Sequence, residues 1–215
     1  MTAHLVWSSL YLQKELNELG CLTVLRSLLE RGAKRNQPYA TTRSLEEDAE
    51  LRESVLLVVA AFALTDEELR KRILDAGLLS RIVAALSHRS ARVRACACHC
   101  VRGLSRSVNV LKTSLVDTDA ARPLWRCVAQ DEDETVRVCA TQAVCNLVID
   151  FSPMRDELIR NGCVNKFCEF LESTNGSLRL YAIFALKNVT YGADQSFRRG
   201  VAEKITWDRL LRCVS

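Results

Sequence analysis

Three cysteines and a histidine fall within five residues, at Cys96, Cys98, His99 and Cys100, in the stretch RACACHCVRGLS. Thiolate and imidazole are the ligands of zinc, and thiols carry redox chemistry. Cys96 and His99 are three residues apart and share a face if the segment is helical. Cys139 stands at the matching place on a later, similar segment. A zinc centre takes four ligands at about 2.0–2.3 Å, whereas packed helices lie about 10 Å apart. Cys139 is therefore too distant to close a site, and no CxxC pair is present. The favoured reading is a helix core lined by small thiols, because free cysteine is among the most buried residue types.

Catalysis finds no other support. The histidines are His4, His88 and His99, and none lies in a Ser/His/Asp or Cys/His setting. No glycine-rich phosphate loop is present. The acidic run AQDEDET, Ala129 to Thr135, reads as the polar entry to a helix, where carboxylates favour the dipole. These residues predict no enzyme, no cofactor and no metal.

The totals narrow the class further. A hydrophobic share of 48% with 26% charged residues describes a globular chain. A net charge of +4 is too small to indicate nucleic acid. No apolar run reaches the ~20 residues of a membrane span, and MTAHLVWSSLYLQKEL lacks the pattern of a signal peptide. Ten cysteines in 215 residues, mostly within apolar helical patterns, indicate a reducing compartment, cytosol and nucleus.

The elements that carry these residues repeat. LRESVLLVVAAFALT from Leu51, VRACACHCVRGLSRS from Val93, VRVCATQAVCNLVID from Val136 and LRLYAIFALKNVTYG from Leu178 start 42, 43 and 42 residues apart. Each has apolar or small residues at helical spacing and no proline. Amphipathic stretches ending near Gly20, Gly77 and Gly162 precede a second apolar run, as helices with left-handed glycine caps would. Three helices per ~42 residues is the armadillo/HEAT period. The expected fold is all-α, a right-handed solenoid of about four three-helix repeats plus a partial one. Its units fall at 1–65, 66–106, 107–150, 151–191 and 192–215, with long third helices lining a concave groove.

The first unit carries a polar insertion, RGAKRNQPYATTRSLEEDAE at 31–50, expected to be a surface loop. It could contact a partner or carry a phosphorylation site, and a tolerated insertion is the simpler reading. At the other end WDRLLRCVS would leave Trp207, Leu210, Leu211 and Val214 uncovered. The chain thus reads as a segment of a longer solenoid, or as one whose end another subunit covers, and self-association through that end is expected.

Register assigns roles along the third helices. Ala97 and Cys100, Ala140 and Ala143, and Ala182 and Ala185 fall where helices approach closely. Cys96 and His99, Cys139 and Gln142, and Tyr181 and Phe184 fall on the groove side. Asn146 and Asn188 end their helices on that side, where an amide can both donate to and accept from an extended peptide. The simpler reading is that they only cap. Ala61 and Gly103 stand at the same place in the earlier units, so a peptide site is expected within 135–190. Arg52, Arg94, Arg137 and Arg179 share one position and are expected to bond loop carboxylates, with a basic stripe for an acidic partner as the alternative.

CVRGLSRSVNVLKTSLVDT, AVCNLVIDFSPMRDELIRNG and LRLYAIFALKNVTYGA resemble the armadillo-repeat subunit of the GID/CTLH ubiquitin ligase, especially its fungal forms. The resemblance covers about Arg92 to Leu211. It implies a noncatalytic scaffold that joins LisH–CTLH and RING proteins and takes the C-terminal tail of a substrate receptor in its concave groove. Carried over by repeat position, the groove residues are His99, Gln142, Asn146, Tyr181, Phe184 and Asn188. The rivals are another armadillo adaptor for cargo or signalling, and a sensor built on Cys96, His99 and Cys139. A carrier of basic signals would need an acidic groove with a regular Trp/Asn array, which the sequence lacks.

Overall fold

Helix ends in this chain are set by single side chains between the apolar runs. Asp66, Asp133, Asn175 and Asp194 each precede a helix and accept bonds of 2.8–3.2 Å from N–H groups of its first turn. Those donors have no partner inside the helix. Gly77 and Gly162 follow helices with φ of +69° and +86°, a conformation that strains any side chain with a Cβ.

A computed structural model describes residues 10–34, 42–206 and 209. Among them all regular structure is helical. The chain forms two compact units, Met1–Val110 and Leu111–Ser215. The first contains α1 (Leu10–Glu18), α2 (Cys21–Lys34), α3 (Thr42–Thr65), α4 (Glu67–Asp75), α5 (Leu79–Ala85) and α6 (Ala91–Leu104). Helix α3 packs along α6, while α2 backs α3 and α5 backs α6. Leu56, Val59, Phe62, Ile73, Ile82, Val93 and Leu104 are fully buried between them. A short helix, α7 (Val108–Lys112), spans the junction.

The second unit repeats the plan with α8 (Ser114–Asp117), α9 (Ala121–Ala129), α10 (Glu134–Leu147), α11 (Arg155–Arg160), α12 (Cys163–Phe170), α13 (Gly176–Thr190) and α14 (Gln195–Lys204). Helix α10 packs along α13, backed by α9 and α12 respectively. Trp125 of α9 meets Phe167 of α12 edge-on, with ring centroids 6.3 Å apart. Leu124, Val136, Val144, Leu147, Phe167 and Val189 are fully buried. Each such side chain contributes about 1.5–3 kcal/mol by leaving water.

Two expectations are corrected. Most of the 31–50 segment is helix: α2 runs to Lys34, and α3 starts at Thr42. From Thr42 to Thr65 there is no glycine or proline, and Leu45 to Leu51 are mostly strong helix formers, so polarity alone misled. Residues 35–41, with Pro38, lie outside the described residues, as do Trp207, Leu210, Leu211 and Val214.

The arginines donate chiefly to loop carbonyls, while two of the expected carboxylate pairs also form, Arg52–Asp48 at 2.7 Å and Arg137–Glu134 at 3.8 Å. Nη1 of Arg94 donates to His88 O at 2.8 Å and Arg89 O at 2.9 Å. Arg137 does the same to Asp131 O and Glu132 O at 2.8 and 3.1 Å, and Arg179 to Ser173 O and Thr174 O at 3.0 and 3.1 Å. In each case a guanidinium early in the third helix folds back over the turn from the second helix and satisfies carbonyls that helix geometry leaves open. Arg52 differs because α3 has already begun before it. It pairs with Asp48 one turn earlier at 2.7 Å.

The approach of α3 and α6 is closest at Gly103, where a Cβ would lie 2.6 Å from Ala63 Cβ and 2.9 Å from its carbonyl carbon. Gly103→Ala is therefore expected to lower stability by about 1–3 kcal/mol despite alanine's better helix propensity. Gly200→Ala in α14, where nothing stands within 4 Å, should raise it by about 0.5–1 kcal/mol. Urea unfolding of both variants checks the pair, and equal shifts would contradict the close approach.

Candidate protein-docking surface

The second unit brings five of the six sequence-predicted groove residues onto two packed helices. Gln142 and Asn146 are one turn apart on α10, and both are half-buried. Tyr181, Phe184 and Asn188 lie at i, i+3 and i+7 on α13 and so share a face. The Tyr181 and Phe184 rings are 6.3 Å apart and tilted by 41°. Phe184 is 44% exposed, Leu180 one turn before it is 48% exposed, and Tyr191 at the C-cap of α13 is 70% exposed. Single exposed apolar residues are ordinary, but several on one helix mark a contact surface. Leu180 and Tyr191 escaped the sequence reading because repeat register was applied only to positions shared by all units.

Asn188 ties this surface to the fold. Its Nδ2 donates to Cys145 O at 2.8 Å, in the last turn of α10, where the carbonyl lacks an intrahelical partner. The amide therefore caps the preceding third helix while its Oδ1 has no partner among the described residues. The expected choice between gripping a peptide and capping is thus resolved in part: capping occupies one donor.

His99 is on α6 of the first unit and half-buried. Cys96 and Cys139, expected on the groove side, are each only 5% exposed. The helices turn these thiols inward beside the small positions Ala97, Cys100, Ala140 and Ala143, all fully buried. Cys100 Sγ lies 3.2 Å from Leu56 O across the α3–α6 interface. Burial pushes the Cys100 thiol up well beyond its usual range and Cys163 to about 12. Both groups stay neutral near pH 7, which disfavours the thiolate that metal binding and disulfide exchange require. Among the described residues no group of three or more His, Cys, Asp or Glu side chains is placed to hold a metal ion.

Burial lowers the pKa of His99, with Arg102 adding repulsion, and lowers that of His88, with Arg52 adding to the effect. As pH falls below about 6.5 the unfolded chain takes up these protons before the folded one, so folding stability declines on acidification. The loss should be visible between pH 7 and about pH 5.5. The lowered carboxylates Glu30, Glu67 and Asp194 act only at lower pH. His99→Gln, which copies the side chain at the same repeat position in α10, is expected to flatten the slope. Urea midpoints across that range measure it, and an unchanged slope would remove His99 from the account.

No protein-family model matches the chain. Armadillo repeat-containing protein 8 of Pongo abelii is 34% identical over 167 residues, 77% of this chain and 25% of that protein. GID complex subunit 5 of Schizosaccharomyces pombe is 37% identical over 159 residues, 74% of this chain and 20% of that protein. The chain thus spans about a fifth to a quarter of the length of these relatives. Among solved structures, a computationally designed armadillo repeat protein for modular peptide recognition aligns with a TM-score of 0.76 at 20% identity, covering 98% of this chain and 81% of that one. A designed armadillo repeat protein in complex with the peptide (KR)4 gives 0.75 at 18% identity, covering 98% and 81%. The chain is an armadillo-repeat protein by fold, and by sequence a relative of Armadillo repeat-containing protein 8 and GID complex subunit 5.

Proposed function

We propose that this chain is a noncatalytic scaffold segment of a GID/CTLH-type ubiquitin ligase, and that α10 and α13 hold the extended C-terminal tail of a substrate receptor. The observation that carries the reading is the face of α13, where exposed Phe184 and half-buried Tyr181 stand one to two turns before the oriented amide of Asn188. An aromatic anchor fixes a peptide side chain, and an amide fixes the backbone beside it. A rigid helical face lowers the ordering cost on the protein's side of such a contact. LisH–CTLH and RING subunits would bind elsewhere, and the scaffold would act by raising the local concentration of substrate at the ligase core, in cytosol and nucleus.

The chemistry of the tail follows from the face. None of Gln142, Asn146, Tyr181, Phe184 and Asn188 is charged. Carboxylates that would select a basic cargo signal are missing from this set, which favours the ligase scaffold over a carrier. Binding should therefore depend on apolar burial and backbone bonds, and vary little with salt.

Tagged chain expressed in a fungal cell should copurify with RING and LisH–CTLH proteins and one receptor-like partner, read by mass spectrometry. Phe184→Ala removes an exposed ring without disturbing the core. It should weaken the receptor by about tenfold or more and leave the other partners in place. Equal recovery of the receptor with wild type and variant would exclude this face. Transport factors in place of ligase subunits would favour the carrier.

A further inference from the structure

One hydroxyl between α10 and α11 differs from its counterparts in the other repeats. Asp66, Ser107 and Asp194 each lie between a third helix and the first helix that follows it. Each side chain accepts from the N–H three residues on, at 2.9, 3.3 and 2.8 Å. Ser152 holds the matching place, but there Arg155 N donates to the Ser152 carbonyl at 3.2 Å. Ser152 is only 6% exposed, and its Oγ has no hydrogen-bond partner among the described residues. A buried hydroxyl in that state weakens the turn that holds it.

Arg155, three residues later, is also incompletely bonded. Its side chain is 16% exposed, with Nη1 3.9 Å from Asp156 Oδ1. Nη2 donates to Val189 O at 2.8 Å, in the last turn of α13, and Cζ lies 5.8 Å from the centre of the Phe197 ring. Nε is buried with no hydrogen-bond partner among the described residues. Ser152 thus needs an acceptor group to bond like its counterparts, and Arg155 has an N–H to give one. At the matching place Asp194 already carries an anion, so the repeat accommodates negative charge there.

The sequence around the serine indicates how an anion would arrive. Ser152-Pro153 is the one Ser–Pro or Thr–Pro step in the chain, and Arg155 is the third residue after the serine. Proline-directed kinases select such a step, since proline brings no N–H that must be satisfied, and a basic residue at the third place favours several of them. Asp150, Phe151 and Pro153 around it are exposed, and residues 148–154 lie outside α10 and α11. Without the side-chain bond that closes the other three turns, this one opens more readily and presents its hydroxyl.

We propose that Ser152 is the acceptor of a proline-directed serine/threonine kinase and that its phosphate pairs with Arg155. Oγ attacks the γ-phosphorus of ATP, the bond from that phosphorus to the bridging oxygen breaks, and ADP leaves with the electron pair. The hydroxyl proton passes to the base of the kinase. The phosphoserine carries a charge of about −1.5 to −2 near pH 7. It competes with Val189 O for the guanidinium, so the modification loosens the last turn of α13.

The test incubates the folded 215-residue chain with ATP and a cyclin-dependent kinase and reads its peptides by mass spectrometry. Phosphate is expected on Ser152, absent with Ser152→Ala and reduced about tenfold or more with Pro153→Ala. Circular dichroism checks that both variants keep their helices. Phosphorus-31 NMR then follows the second ionisation of the phosphate. Its pKa should lie below about 6 in the folded chain, where the guanidinium favours the dianion, and return to about 6 after unfolding in urea. Amide hydrogen exchange over residues 189–192 should quicken about tenfold or more on modification. Phosphate on the unfolded chain alone, phosphate on the folded chain only at other residues, an ionisation equal in both states, or unchanged exchange in α13 overturns the proposal.

Discussion

Helices α3 and α6 approach so closely that a Cβ at Gly103 would overlap Ala63. Helices α10 and α13 approach closely enough for a cysteine sulfur and an asparagine amide to reach the facing backbone. This spacing is the constraint from which much of the chain follows. At the nearest approach the later helix of each pair presents alanine, cysteine, glycine or a reaching amide, at Ala97, Cys100 and Gly103 and at Ala182, Ala185 and Asn188. The spacing accounts for the thiols of RACACHCVRG: the side chains of Cys96, Cys98 and Cys100 are small and fully or nearly buried.

Close packing brings a second obligation, because backbone groups that leave water must find partners. The turns between second and third helices are short and partly buried, and Arg94, Arg137 and Arg179 close them by donating to two carbonyls each. A fixed guanidinium fork suits this task better than a flexible ammonium. The acidic residues of the same turns are used locally. Asp133 caps α10, and Glu134 accepts from Asn175 at 2.9 Å, joining the starts of α10 and α13. Beside the pairs Arg52–Asp48 and Arg137–Glu134, the charges of these turns serve chiefly to satisfy helix ends.

The period of the third helices was legible because small and apolar positions recur in register, and burial follows that register at Ala97, Cys100, Ala140, Ala143, Ala182 and Ala185. The glycine caps at Gly77 and Gly162 were legible for a conformational reason that holds in any context. The segment 42–50 was not, since polarity resembles a loop while its residues favour helix, and no breaker separates it from α3. The orientation of Cys96 and Cys139 was not legible either. A groove position and an inward one differ by a fraction of a helix turn, and small thiols tolerate both. The role of Asn188 as a cap for α10 needed the three-dimensional neighbour 43 residues earlier.

That cap changes how the α13 face can read a peptide. A free amide offers two donors and an acceptor and can rotate to suit either. At Asn188 one N–H is held by Cys145 O, which fixes the plane and turns Oδ1 to a set direction. A peptide bound as proposed would meet a fixed acceptor together with one remaining donor, and the side chain would have less rotamer freedom to lose on binding. The orientation has already been stabilised by folding. A fixed acceptor would also select the direction in which such a peptide presents its N–H, so on the proposed reading the amide would supply polarity and register and the exposed ring of Phe184 would supply burial. Removing the ring should cost affinity and leave direction intact. Removing the amide would disturb α10 first, because Cys145 O would lose its donor before any peptide arrived.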